Sequence, residues 1–115
     1  MTRAATGARA EQLAEDFLLR RGLVMVQRNF RCRMGEIDLI LRDRDTLVFV
    51  EVRLRSRDAF GGAAASVTPA KQARIVAAAR HFLAGKRERA CRFDVVLLER
   101  LAPDAIEWIK DAFGE

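Results

Sequence analysis

Two acids interrupt runs of strand-forming residues: Asp38 within Gly35-Glu36-Ile37-Asp38-Leu39-Ile40, and Glu51 within Leu47-Val48-Phe49-Val50-Glu51-Val52-Arg53. The polar stretch Asp43-Arg44-Asp45-Thr46 lies between them and reads as a hairpin turn, so both acids belong to one antiparallel pair. A turn centred between Arg44 and Asp45 sets Asp43 against Thr46, Asp38 against Glu51, and Glu36 against Arg53. Directly opposed side chains lie roughly 5 Å apart. Alternation puts Glu36, Asp38, Glu51 and Arg53 on one sheet face. Ile37, Leu39, Leu41, Val48, Val50 and Val52 take the other, which is core. Two carboxylates this close inside apolar strands repel one another and resist desolvation. A divalent cation between them removes that cost, and Mg²⁺ suits one or two carboxylates completed by water and phosphate oxygens. The alternative is that the acids pair with Arg53 and Arg42 on a solvated face.

A third acid, Glu11, shares a helical row with Gly7, Ala14 and Leu18, beside the apolar stripe Ala10, Leu13, Ala14, Phe17 and Leu18. It either converges on the pair or is an ordinary boundary glutamate. The elements that must position these groups follow from periodicity and punctuation. A helix over 4–21 stops at Gly22, and a strand over 23–30 leads into a basic turn at 31–35. The hairpin strands are 36–42 and 47–54, and a glycine-containing loop with Phe60, Gly61 and Gly62 reaches to Val67. Thr68-Pro69 starts a second helix that runs to about 84 and buries Ile75, Ala79, Phe82 and Leu83, with Gly85 after it. Strands over 92–98 and 106–109 complete the order αβββαββ. The strand-helix-strand segment over 47–98 predicts a right-handed crossover between parallel strands.

At 115 residues the chain is expected to form one domain over 1–115. Half of it is hydrophobic and 32% is charged, which excludes disorder. No apolar run approaches the ~20 residues that span a bilayer, and Met1-Thr2-Arg3-Ala4-Ala5 is not a secretory signal, so a cytoplasmic protein without a membrane partner is expected. Cys32, Cys91 and His81 fall short of the roughly four ligands of a structural zinc site and give little for Ser-His or Cys-His catalysis. Any metal is therefore a hard cation on oxygen. The net charge is +5, and every cation but Lys71, Lys86 and Lys110 is arginine, a side chain that pairs well with phosphate. That balance points to a nucleic-acid partner or simply to an arginine-rich surface.

The two hairpin strings resemble the metal-binding core of the PD-(D/E)XK nuclease superfamily. The chain is more closely similar to the YraN family of small bacterial endonuclease-like proteins. Gly7-x-x-x-Glu11-x-x-Ala14, Arg28-Asn29-Phe30, Lys71, Arg92-Phe93-Asp94-Val95-Val96 and Ala112-Phe113 extend that resemblance along nearly the whole chain. It implies an α/β, restriction-endonuclease-like mixed sheet flanked by helices and related to Holliday-junction resolvases. It also implies a metal-dependent DNA endonuclease that hydrolyses phosphodiesters, with branched or damaged DNA among its substrates. Asp38 and Glu51 would then hold Mg²⁺ or Mn²⁺, assisted by Glu11, and kinship with resolvases points to a homodimer.

The sequence departs from the pattern at Arg53, where the family usually has lysine. Arginine keeps its proton, so Arg53 serves as phosphate clamp or charge stabiliser and not as a base. The alternative function is a catalytically weakened or inactive nuclease-fold protein that binds nucleic acid. Lys71 would supply the missing amine or, more simply, is a solvated first-turn lysine. Candidate phosphate contacts are Arg28, Arg31 and Arg33 at the hairpin entry, Arg55 and Arg57 after the second hairpin strand, and Lys71. With seven Phe, one Trp and no Tyr, stacking on single strands is not indicated, and Phe60 is the one loop aromatic of interest. His81 is expected on a helix surface or in packing.

Overall fold

The structure, a computed structural model, describes residues 2–55 and 67–114. Helix α1 (Arg3–Arg20) is capped by Thr2, whose hydroxyl accepts the Ala5 N–H at 3.0 Å. Gly22 ends it at φ +91°, a backbone state that glycine enters without steric cost. Strands β1 (Val24–Cys32), β2 (Gly35–Asp43) and β3 (Thr46–Leu54) follow. Helix α2 (Pro69–Leu83) starts at the expected Thr68 cap, where the hydroxyl accepts the Lys71 N–H at 3.2 Å. Strands β4 (Cys91–Leu98) and β5 (Ile106–Phe113) complete the order αβββαββ. Arg57 and the Phe60-Gly61-Gly62 stretch lie outside the described residues.

The five strands form one mixed sheet in sequential order, β1-β2-β3-β4-β5. All neighbours are antiparallel except β3 and β4, which are parallel because α2 carries the chain back between them. The two helices cover opposite faces. Ala10, Leu13, Ala14 and Leu18 of α1 pack with Leu39, Leu41, Val48, Val50, Val96 and Leu98. Ile75, Ala78, Ala79 and Phe82 of α2 pack with Ile37, Ile40, Leu47, Phe49, Phe93 and Val95. Phe49 stacks on Phe93 at 5.4 Å and meets Phe82 edge-on at 6.1 Å, an arrangement that aromatic quadrupoles favour. The acidic face of the hairpin is thus covered by α2, which removes the solvated-face alternative for Glu51. Among the described residues no helix is long and apolar enough to cross a membrane.

Four local expectations change. The β1–β2 turn is only Arg33-Met34, because the strands zip to Cys32↔Gly35. Leu83 is half-buried, and Ala78 takes its place in the core. Strand β5 runs to Phe113 and not to residue 109. Asp111 adopts φ +52° there, and its N–H donates to Asp94 at 2.9 Å, so the strand bends and continues until Phe113 stacks on Phe93. The fourth change shapes the site. Alternation predicts Ile37 on the Leu39 face, yet Ile37 packs with α2 while Leu39 packs with α1. Across the ladder, Arg28 reaches Glu15 of α1, and Phe30 packs edge-on to Phe82 of α2 at 5.2 Å. Both strands exchange faces at Asn29 and Asp38. Asn29 sits at φ +50°, a left-handed state that asparagine tolerates better than most residues.

Gly35 lies where the hairpin crosses α2. A Cβ there would stand 3.0 Å from the Arg74 carbonyl oxygen and 3.2 Å from the Arg74 Cβ. Gly35→Val is expected to lower stability by about 1–3 kcal/mol through overpacking, read as an earlier urea midpoint at unchanged slope.

Candidate functional site

The β2–β3 ladder follows the expected register from Asp43↔Thr46 to Leu39↔Val50 and then stops. Beyond that point the Asp38 carboxylate replaces the strand, with its Oδ2 accepting the Val52 N–H at 2.8 Å. The two strands separate where the face exchange occurs, and the gap holds the carboxyl pair. Glu51 is only 5% exposed, and the Asp38 charge beside it disfavours ionisation of its carboxyl. Glu36 is not opposite Arg53 as the register projected. It lies beside its β1 neighbour Arg31, with Nε to Oε2 at 3.3 Å. Arg53 still acts on the pair, because its charge favours the ionised form of Glu51.

Helix residues complete the cluster. From α1, Glu11 lies close enough to Asp38 and the Asn29 side chain for both to act on its carboxyl. From α2, Lys71 Nζ lies 3.8 Å from Glu51 Oε2 with a quarter of its side chain exposed, so it is not the solvated first-turn lysine that the sequence favours. The left-handed turn at Asn29 thus aims one side chain at Glu11 while its partner Asp38 turns to β3. Sequence reasoning had no role for Asn29, although asparagine inside an apolar strand pattern is itself a signal for such a bend.

Burial is the leading cause that raises the carboxyl of Glu51 to about 8, followed by the charge and side chain of Asp38; Lys71 and Arg53 oppose the shift. Burial also raises Asp38, against the Val52 N–H, the Glu51 side chain and Lys71. Glu11 is raised by burial and then by Asp38. Each carboxyl is thus harder to ionise than a free one, and a cation between the two oxygen donors would offset that cost. Oxygen-only donors fit a hard divalent ion. Among the described residues no group of three or more Asp, Glu, His or Cys gathers closely enough to enclose an ion. Two carboxylates leave positions for water and phosphate, as Mg²⁺ prefers.

The expected phosphate contacts divide sharply. Arg28 is committed to Glu15, which accepts from both Nε and an NH₂ group while only 5% exposed. Arg55 is bound to Glu99 at 2.6 Å. Arg31 and Arg33 line an open groove of about 400 Å³ between the β1–β2 turn and α2, together with Lys71 and Arg74. Arg74 was not singled out in the sequence, since a helix arginine carries no signal until its neighbours are known. His81 is exposed, with its ring centroid 6.2 Å from that of Phe30, and neither cysteine is in a disulfide.

A family model described as Uncharacterised protein family UPF0102 matches residues 10–98. The chain belongs to that family. The matched span of this UPF0102 chain carries Glu11, Asn29, Asp38, Glu51 and Lys71 and ends with β4. A UPF0102 protein of Nitrosomonas europaea is 56% identical over 110 residues, 95% of this chain and 93% of the relative. One from Cupriavidus taiwanensis is 60% identical over 114 residues, 97% and 85% of the two chains. Another, from Nitrosospira multiformis, is 55% identical over 114 residues, 98% and 96%.

Proposed function

We propose that this UPF0102 chain is a divalent-cation-dependent DNA endonuclease of the PD-(D/E)XK type. The observation that carries the reading is the Asp38-Glu51 pair, with Glu51 buried and Asp38 partly so, placed where β2 and β3 part and with Lys71 3.8 Å from Glu51. Carboxyls brought together at a desolvation cost are the kind of arrangement that functional sites use. Asp38 and Glu51 would hold Mg²⁺ or Mn²⁺, with Glu11 adjoining. When bound, such a cation supplies an activated water and charge stabilisation at a scissile phosphate.

The remaining chemistry belongs to the chain itself. The Val52 N–H fixes the Asp38 carboxylate by a 2.8 Å bond. Lys71 stands on the α2 side of Glu51, in the role of a cation for a phosphate oxygen that the sequence pattern gives to a residue at position 53. Arg53 adds a permanent charge that cannot exchange protons.

Calorimetric titration of Mg²⁺ and Mn²⁺ into the parent chain and Asp38→Asn, with and without an uncleavable duplex, tests the site. Binding by the parent and its loss in Asp38→Asn are expected, as is cleavage of branched or nicked duplexes that disappears in Asp38→Asn and Glu51→Gln. Cleavage that survives both substitutions overturns the assignment. Absence of metal binding even with DNA present leaves a non-catalytic nucleic-acid-binding module in its place.

A further inference from the structure

We infer that the sugar-phosphate backbone of a nucleic-acid duplex lies in the groove between the β1–β2 turn and α2, held by Arg33, Arg74 and Lys71. The inference rests on the preceding reading only in taking Asp38 and Glu51 as the reacting centre to which the groove leads.

The cations of the chain sort by what already neutralises them. Arg28 belongs to Glu15, Arg55 to Glu99 at 2.6 Å, and Arg100 to Asp104 at 2.7 Å. Arg92 lies 3.1 Å from Asp94 and 3.0 Å from Asp43. Arg28 and Arg92 pair with buried acids, while Arg55 and Arg100, in more exposed pairs, do not line the groove. Arg33 and Arg74 are exposed and have no acidic partner among the described residues, and both line the same open groove. Arg31 lines it too. Its 3.3 Å contact with Glu36 joins two largely exposed side chains, the kind of pair that contributes little and exchanges readily for a stronger anion. Among the described residues Glu36 is thus the groove's single acid against four cations.

The groove is built rather than incidental. Without a side chain, Gly35 lets the hairpin press against the Arg74 backbone, which brings Arg33 of the turn and Arg74 of α2 onto facing walls. It also joins the carboxyl pair, because Lys71 lines the groove and lies 3.8 Å from Glu51. Among the described residues its lining contains no aromatic ring to stack on an unpaired base. Guanidinium and ammonium groups without stacking partners read the phosphates and not the sequence.

The test is equilibrium binding of a short fluorescent mixed-sequence DNA duplex in EDTA over a range of salt concentrations, which requires no metal and no catalysis. Each phosphate contact contributes about 0.9 to the slope of log affinity against log salt. Arg33→Ala and Arg74→Ala should each lower that slope by about 1 and the double variant by about 2, with melting temperatures unchanged. Arg55→Ala and Arg100→Ala should leave it unchanged. Parent-like slopes for Arg33→Ala and Arg74→Ala overturn the inference, as does an equal loss in Arg55→Ala or no duplex binding by the unmodified chain. Failure of the metal titration would instead strike the carboxyl pair and leave this result standing.

Discussion

Without divalent ions at about pH 9, Glu51→Gln melts at a higher temperature than the parent chain, and the difference closes as the pH falls toward the ordinary carboxyl range. The sign follows from proton affinity. Folding raises the Glu51 carboxyl from 4.5 to about 8, so the folded chain holds a proton that the unfolded chain releases between those values. Stability therefore falls as pH rises through that window, and above it the folded chain bears the whole cost of a buried ionised pair. A tenfold change in proton affinity corresponds to about 1.4 kcal/mol, so the full effect is about 5 kcal/mol, comparable with the entire stability of many small domains. Glutamine stays neutral throughout and keeps an N–H to give Asp38. A shift upward of about 20 °C is expected from thermal melts followed by circular dichroism. Added Mg²⁺ or Mn²⁺ should close the gap from the other side by stabilising the parent and not the variant. Equal melting temperatures at high pH would show that the pair is not desolvated.

Asp94→Ala should have an effect of similar size through a different route. Asp94 is fully buried in β4 and accepts from Arg92 Nε, from Trp108 Nε1 at 2.9 Å and from the Asp111 N–H at 2.9 Å. Its removal leaves a half-buried guanidinium with only Asp43, and two donors on β5 without an acceptor. Breaking such a buried charge network costs about 3–5 kcal/mol, more than a neutral hydrogen bond can account for. Trp108 is the only tryptophan and bonds to the carboxylate directly, so its fluorescence in a urea titration reports the change. Asp94→Asn, which keeps the shape and one acceptor, should lose less. A midpoint unchanged by Asp94→Ala would mean that β5 is held by its ladder and aromatic contacts alone.

These two acids also show where reading from sequence succeeds and where it stops. The hairpin register follows from a short turn and period-two alternation, both local, and holds from Asp43↔Thr46 to Leu39↔Val50. The helix caps at Thr68 and Gly22 and the parallel β3–β4 pair are similarly local or topological. The register fails at Asp38, where a side chain replaces a backbone partner and Asn29 turns left-handed, because alternation assumes an uninterrupted pleat. Strand periodicity ends at residue 109, before Lys110-Asp111, since the group that holds Asp111 in the strand is Asp94, contributed by another strand. Arginines at Arg28 and Arg55 look alike in sequence to those at Arg33 and Arg74. Only the fold shows which of them meet Glu15 or Glu99 and which face an open groove.

Both faces of β3 are covered once the chain has folded, and Leu47 to Val50 are all buried. In the nascent chain the same segment emerges well ahead of its parallel partner β4. Leu47-Val48-Phe49-Val50-Glu51-Val52 then has the makeup of a self-associating strand, rich in β-formers and free of proline and glycine. Glu51 is the only charge between Asp45 and Arg53. Burial is what raises its carboxyl, so in the unfolded chain at neutral pH it is ionised and repels neighbouring copies, as gatekeeper residues do. Folding then neutralises the same group within the core. The glutamine variant that gains folded-state stability gives up this protection, and its unfolded chains should aggregate more readily than the parent's.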